Sequence, residues 1–420
     1  MKASSIWIVF SLLVCAGALN AGAQEPAAPT PLVQLLEEAR QKNPALLAAL
    51  HQQSAASHVP RQAGALPDTQ VMVQQLNVGS PRPFAGYTNS DFAYIGLGAA
   101  QEFPWPGKRA LRSQVAELEA GSSRAQTEVV KRGIEEQIKI VYFRLAYLQQ
   151  TLTILLRNDK VLGQMEQVAE SRYRVGQGSQ QEVLKAQLQH TKILQDINLI
   201  HREQGQLQAQ LKLALGRAQT SPDIVTEVLR ERALPADTQA LLGQVSEGNA
   251  EVAVRRQMEL KSAKQTELAN KEFRPDMGVQ FMYQNTDRQF RDYYMFTFSM
   301  TLPNRGRRKA ELALAQAQQQ AASSELAAEV QRRAAQVKDQ LVQAQTSAEQ
   351  LRIYREGLIP QAEATFRAAM AAYQANRQDF ETLLSSFLDV LKFEEEYQKE
   401  LSEHEAALAR LESLTGVTLP

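Results

Sequence analysis

The chain states one pattern twice, about two hundred residues apart, and this repeat limits the possible folds more than any other feature. A strand-like run ends at Phe103-Pro104-Trp105-Pro106-Gly107-Lys108-Arg109, and a very long stretch of alanine, leucine, glutamine and charge follows. Further on, Tyr294, Phe296, Phe298, Met300 and Leu302 alternate with Met295, Thr297, Ser299 and Thr301 until Pro303 and Gly306 stop the run and a second long stretch begins. Pro303 follows Pro104 by 199 residues, and Gly306 follows Gly107 by 199. Alternation with one apolar face marks a strand. Proline cannot donate to a ladder and glycine permits a tight turn, so strand-to-helix turns are expected at Pro104, Trp105, Gly107, Pro303 and Gly306. Each half then reads as helix, strand, strand, very long helix, tip and return helix.

From Ala110 to Tyr173 there is no proline, and at 1.5 Å per residue such a helix is roughly 95 Å long, far beyond the globular norm. Ile134, Ile138, Val141, Leu145, Leu148, Leu152 and Leu155 recur at alternating steps of four and three. That heptad seam demands partner helices. The chain reverses at Tyr173-Arg174-Val175-Gly176-Gln177-Gly178-Ser179, where Ser179 and Glu182 form a capping box for a return helix. The return carries Val183, Ala186, His190, Ile193, Ile197, Ile200, Leu207 and Leu211, and stops at Leu215-Gly216. In the second half the seam runs through Val330, Ala334, Val337, Leu341, Ala344, Ala348 and Leu351, and Pro360 is expected to kink it. The second tip, Tyr373 to Gln378, lies 200 residues after the first, and Asn376 takes the place of Gly176 at a turn that calls for positive φ. Its return helix runs through Phe380, Leu384, Phe387, Leu391, Leu401 and Leu408 to Gly416.

These signals divide the chain. Residues 1–23 read as a secretory signal, with Lys2, the apolar run Ile6 to Val14, and Ala21-Gly22-Ala23. Cys15, the single cysteine, falls inside it, so no disulfide is expected after cleavage. A flexible leader, 24–31, precedes a first repeat at 32–217. That repeat has a helix from Leu32 to Ala65 interrupted at Asn43-Pro44, strands at about 69–78 and 91–103, and a coiled-coil hairpin at 108–215. A connector, 218–237, leads to a second repeat at 238–420. Here a helix from Thr238 to Phe273 precedes strands at about 277–284 and 293–302 and a hairpin at 307–414. Pro275-Asp276 follows Pro67-Asp68 by 208 residues, so the second strand pair is nine residues shorter, a difference expected in its exposed turn.

Lysine plus arginine and aspartate plus glutamate both number 46, so no net field points to nucleic acid. No apolar run of eighteen follows the signal, which excludes a helical membrane protein but not an outer-membrane β-barrel. Two strands per half give four per chain, and four cannot close. Each unpaired amide of an open edge in lipid costs several kcal/mol, so closure has to come from other copies; barrels start at eight strands, and three copies would supply twelve. The same copies would set the long helices side by side. A strand barrel continuous with a helical tube is a conduit from the outer membrane across the periplasm. Nothing resembles a nucleophile-base-acid set, so no enzyme and no cofactor is expected. Of the five histidines, His51, His58, His190, His201 and His404, the first two are seven apart but lack surrounding acids or thiols, and His190 sits on the apolar seam as an ordinary packed histidine, so no metal site is expected.

The order of elements, the duplication, Phe103-Pro-Trp-Pro-Gly-Lys-Arg after a strand, and the paired tips at Tyr173-Arg-Val-Gly and Tyr373 resemble the TolC family of outer-membrane efflux channels across essentially the whole chain. The Pro-Trp-Pro-Gly-Lys form is most similar to the heavy-metal resistance subgroup, the cobalt-zinc-cadmium and copper type. The resemblance implies a mainly α fold with a membrane β part, a homotrimer forming a twelve-stranded β-barrel on a long α-helical periplasmic barrel. It implies an outer-membrane duct for metals or small toxic compounds, with a periplasmic adaptor and an inner-membrane pump of the RND type as partners. It also places adaptor docking at Tyr173, Arg174, Val175, Gly176, Gln177, Gly178, Tyr373, Asn376 and Gln378. Some members narrow the tunnel with aspartates just beyond the second tip; the matching positions here are Thr382 and Ser385, with Asp379, Glu381 and Asp389 nearby. Two other readings stay open: the outer-membrane duct of a type I protein secretion system, and a soluble periplasmic coiled-coil adaptor or scaffold.

Overall fold

The computed structural model describes residues 28–83, 92–234, 238–286 and 291–419. The expected signal at 1–23, with Cys15, lies outside the described residues. The first repeat opens with α1 (Leu32–Lys42) and α2 (Pro44–Ala63), continues through β1 (Gln70–Leu76) and β2 (Tyr94–Phe103), and closes with α3 (Lys108–Arg174) and α4 (Gln180–Leu215). The second has α5 (Thr238–Gly248), α6 (Ala250–Lys271), β3 (Asp276–Asn285), β4 (Tyr293–Thr301), α7 (Arg305–Ile353), α8 (Ile359–Gln374) and α9 (Phe380–Thr415). At 67 residues, α3 is about 100 Å long. It is the spine of the molecule, with α2, α4, α6 and α9 packed along it.

The heptad seam is the core. Ile138, Val141, Leu145, Leu148 and Leu155 of α3 are buried in one cluster with Ala186, Ile193, Ile200, Leu207 and Leu211 of α4, and that cluster extends to Phe380, Leu384 and Phe387 of α9. His190 departs from the packed position expected of it: its side chain is 41% exposed and stands 3.2 Å from Asp159. Val337, Leu341 and Ala344 of α7 form a second cluster with Ala407, Leu408 and Leu411 of α9.

The helix expected over Thr238–Phe273 is two helices, because Asn249 breaks it and caps α6 by accepting from the Val252 N–H at 3.0 Å. Asn43 does the same between α1 and α2, accepting from Ala45 and Leu46. Both asparagines also latch the far end of their own repeat. Asn43 donates to the Ala214 carbonyl at 2.6 Å and Asn249 to the Leu414 carbonyl at 2.8 Å. The return helices end there at Gly216 (φ 70°) and Gly416 (φ 75°), with backbone so close that a side chain on either glycine would collide with it.

The second long helix does not simply kink at Pro360. A π turn, Tyr354–Leu358, lies immediately before it. The repeat offset is 199 residues at Gly107 and Gly306 but 200 at Tyr173 and Tyr373, so the second helix carries one residue more than the first. A π turn absorbs one extra residue without rotating the apolar seam off its partner.

Residues 218–234 have no regular secondary structure, yet they are strapped to the helices. Ile224 is buried and exchanges two hydrogen bonds with the Gln208 amide, and Tyr142 Oη accepts from the Glu227 N–H while donating to the Thr30 carbonyl. Arg232 donates to Glu405 (2.6 Å) and Glu412 (3.1 Å), and both ring nitrogens of buried His404 face carbonyls, those of Ala344 and Arg232.

Candidate functional site

Two regions carry the functional expectations, the sheet and the hairpin tips. The four strands form one antiparallel sheet in the order β1-β2-β3-β4, so β1 and β4 are its edges. The register sorts the residues by face. Val73 opposes Leu97, Leu97 opposes Tyr283 and Tyr283 opposes Tyr294, while the neighbouring row runs Val71, Ala99, Phe281, Phe296. On this face Val71, Val73, Phe296, Phe298 and Met300 are exposed, and the Phe281–Phe296 and Tyr283–Tyr294 rings lie 4.9 and 5.5 Å apart. The opposite face carries Gln74, Gly96, Gly98, Gln280, Gln284, Thr297 and Ser299, crossed by a row of Met72, Met282 and Met295. One aromatic and aliphatic face, backed by one of amides, hydroxyls, glycines and methionines, fits a strand wall between lipid and water.

Residues 77–93 separate β1 from β2, and residues 286–292 separate β3 from β4. Parts of both loops lie outside the described residues.

Beneath the sheet, the Pro104-to-Arg109 turn is pinned to the other repeat. Buried Lys108 places its Nζ 3.0 Å from Glu272, 3.0 Å from Asp276 and 2.9 Å from the Arg274 carbonyl. Asp276 also accepts from the Trp105 N–H at 2.7 Å. Gly107 holds φ at 93°, which explains the glycine before the helix. The second turn, by contrast, is capped by Asn304, which accepts from the Gly306 and Arg307 N–H groups.

At the far end the two tips meet. Gly176 (φ 74°) and Asn376 (φ 58°) both take the left-handed conformation. The capping box of Ser179 and Glu182 is formed. Arg172, which sequence reasoning passed over, joins the tips: its guanidinium lies 4.3 Å above the Tyr373 ring and donates to the Tyr373 carbonyl and the Asn376 side chain. Tyr373 Oη donates to Glu182 at 2.7 Å. Burial first, and then this bond to a carboxylate, push the Tyr373 hydroxyl well above its ordinary pKa. Tyr373 was expected on the docking surface; it is instead buried, because Arg172 and Phe380 enclose its ring. Tyr173, Arg174, Val175, Gly176, Gln177 and Asn376 are exposed, with Gly178 and Gln378 half-buried.

The expected constriction residues divide by their partners. Asp379 caps α9, accepting from the Thr382 N–H (2.8 Å) and hydroxyl (2.6 Å), and these bonds hold its carboxyl below the usual range. Glu381 is paired with Lys185 of α4. Ser385 and Asp389 are exposed. Among the described residues no group of three or more His, Cys, Asp or Glu is arranged to hold a metal ion.

The sequence profile of the family described as outer membrane efflux protein matches residues 35–217 and 241–415. No curated protein matches the chain. Among solved structures, the outer membrane protein VceC from Vibrio cholerae is 19% identical, with a TM-score of 0.77 over 92% of this chain and 96% of that one. The MtrE outer membrane channel of Neisseria gonorrhoeae, in its open state, is 17% identical, with a TM-score of 0.76 over 92% and 89%. The CmeC outer membrane channel of Campylobacter jejuni is 12% identical, with a TM-score of 0.78 over 100% and 94%. At these identities the likeness is one of fold.

Proposed function

This chain belongs to the outer membrane efflux protein family, and from that premise we propose that it is the outer-membrane duct of a tripartite pump, a homotrimer that passes metals or small toxic compounds from the periplasm to the exterior. The observation that carries the reading is the open four-stranded sheet, with one aromatic and aliphatic face and one more polar face, set directly on long helices of which α3 reaches about 100 Å. Three copies would complete twelve strands and bring the tips of three chains around one axis. Transport through such a duct is passive. The driving force belongs to the inner-membrane partner, for which the RND type is the proposal, and the chain itself catalyses no reaction.

Docking of the adaptor is assigned to the exposed part of the first tip, Val175, Gly176 and Gln177, and more weakly to Asn376 and Gln378. Tyr373 is assigned to holding the two tips together. The narrow end is assigned to the ring that Thr382, Ser385 and Asp389 would make when repeated threefold, with Glu381 neutralised by Lys185. Heavy-metal cargo is proposed on the Pro-Trp-Pro-Gly-Lys turn. Deletion of the gene with profiling against metals and antibiotics tests the cargo: sensitisation to divalent transition metals supports it, and sensitisation to antibiotics alone replaces it. Recovery of the protein only from the soluble periplasm, with no conductance in planar bilayers, would overturn the duct itself.

A further inference from the structure

The sheet leaves β1 and β4 as edges, and the trimeric duct on which this inference rests requires them to meet across copies. We propose that β4 pairs with β1 of the next copy in one definite register, the one β2 and β3 already hold within the chain, and that Arg307 reaches Asp68 of the next copy as Lys108 reaches Asp276. The contact between β2 and β3 joins the first repeat to the second. The contact between β4 and the next β1 joins a second repeat to a first, and so is the same junction one step around the ring.

The repeat offsets translate one into the other. A shift of 199 carries β2 onto β4, and a shift of 208 carries β3 back onto β1. Ala100 opposite Gln280 becomes Ser299 opposite Met72, and Ala99 opposite Phe281 becomes Phe298 opposite Val73. Both faces survive the translation: Phe298 and Val73 are exposed on the apolar face, and Ser299 and Met72 fall on the other. A slip of one residue would turn Phe298 toward the polar side, so register is strongly specified here.

Charge repeats the same message. Asp276 translates to Asp68, which is exposed, and Lys108 translates to Arg307, whose side chain is 73% exposed and holds Glu311 at 2.8 Å. The acid and the base persist at these two positions although their neighbours do not, since Glu272 becomes Gly64 and Arg112 becomes Glu311. A guanidinium has five donors and can keep Glu311 while binding a second carboxylate. The interface is heterologous, head to tail, and closes as a ring.

Disulfide trapping in the full-length chain tests the register, because Cys15 is the single cysteine. Directly opposed Cβ atoms lie about 4.5–5.5 Å apart and diagonal neighbours about 7–8 Å, and a disulfide needs about 3.5–4.5 Å. Ser299→Cys with Met72→Cys is expected to give a reducible, covalently linked trimer on oxidation. Ser299→Cys with Gln74→Cys or with Gln70→Cys is expected to give less than about one tenth of that yield, and the single-cysteine variants none. An intact trimer that links through Gln74 or Gln70, or through none of the three, overturns the register and leaves the duct standing. Absence of any link together with single copies on native gels overturns the duct beneath it. For the ion pair, Asp68→Arg and Arg307→Asp are each expected to lower the temperature at which the trimer falls apart, and the double variant to recover most of the loss; failure of the double variant to exceed both singles overturns the pair.

Discussion

Tyr173 and Tyr373 occupy the same place in the two repeats, yet the first is 47% exposed and the second 1% exposed. The difference lies in what surrounds them. Arg172 stacks on Tyr373 and Glu182 accepts its hydroxyl, whereas the repeat counterparts of these two residues are Ala372 and Thr382. The clamp therefore runs one way, from the first tip to the second inside one chain, and the second tip has no equal clamp to offer the next copy. Backbone form was repeated and side-chain chemistry was not.

The largest effect that could break this comparison is Tyr373→Ala, which removes a buried ring and should destabilise the tips by about 3–5 kcal/mol, against less than about 0.5 kcal/mol for Tyr173→Ala. Amide hydrogen exchange over 165–185 and 365–385 would read both, and equal effects would contradict the asymmetry. Ala372→Arg with Thr382→Glu copies the clamp into the second repeat. It should add about 1–2 kcal/mol to the contact between copies and reduce single-channel conductance, while Arg172→Ala should raise it. A smaller contrast concerns the turns. Gly176→Ala puts a Cβ at φ 74° and should cost about 1 kcal/mol, whereas Asn376→Gly should stay within about 0.5 kcal/mol, both read from thermal unfolding.

The last contrast is between Glu395 and its first-repeat counterpart Gln195. Burial, and then the charges of Asp196, Glu394 and Glu396, push the Glu395 carboxyl up to about 7. A raised carboxyl pKa means that folding favours the protonated form. Its contribution is complete below the ordinary value near 4.5 and is lost as pH rises through about 7. The thermal midpoint should accordingly fall between pH 5 and pH 8, and Glu395→Gln should flatten that slope. An unchanged slope in the variant would assign the effect elsewhere.

Much of the architecture was legible because it is periodic. Heptads from Ile134 to Leu155, the strand alternation from Tyr294 to Leu302 and the turn glycines each report a local geometry that needs no knowledge of the rest of the chain. The break at Asn249 was missed although Gly248 beside it is a poor helix former; the structure ties that break to the Leu414 carbonyl, which arrives from 165 residues away. The π turn could have been found from arithmetic alone, since the repeat offset grows by one between Gly306 and Tyr373. Arg172 gave no such signal, as an arginine one residue before a tip reads as an ordinary solvated helix end.

By itself, then, the amino-acid order determined the duplicated plan, the two long helical hairpins, the two faces of each strand and the positive-φ turns, because those depend on residues near one another in the chain. Only the tertiary structure decided that β2 pairs with β3, that Asp276 rather than Asp68 receives Lys108, and that Tyr373 rather than Tyr173 is buried. Repeated sequences offer each side chain two equivalent partners, and the choice between them is made by which repeat the folded chain brings alongside.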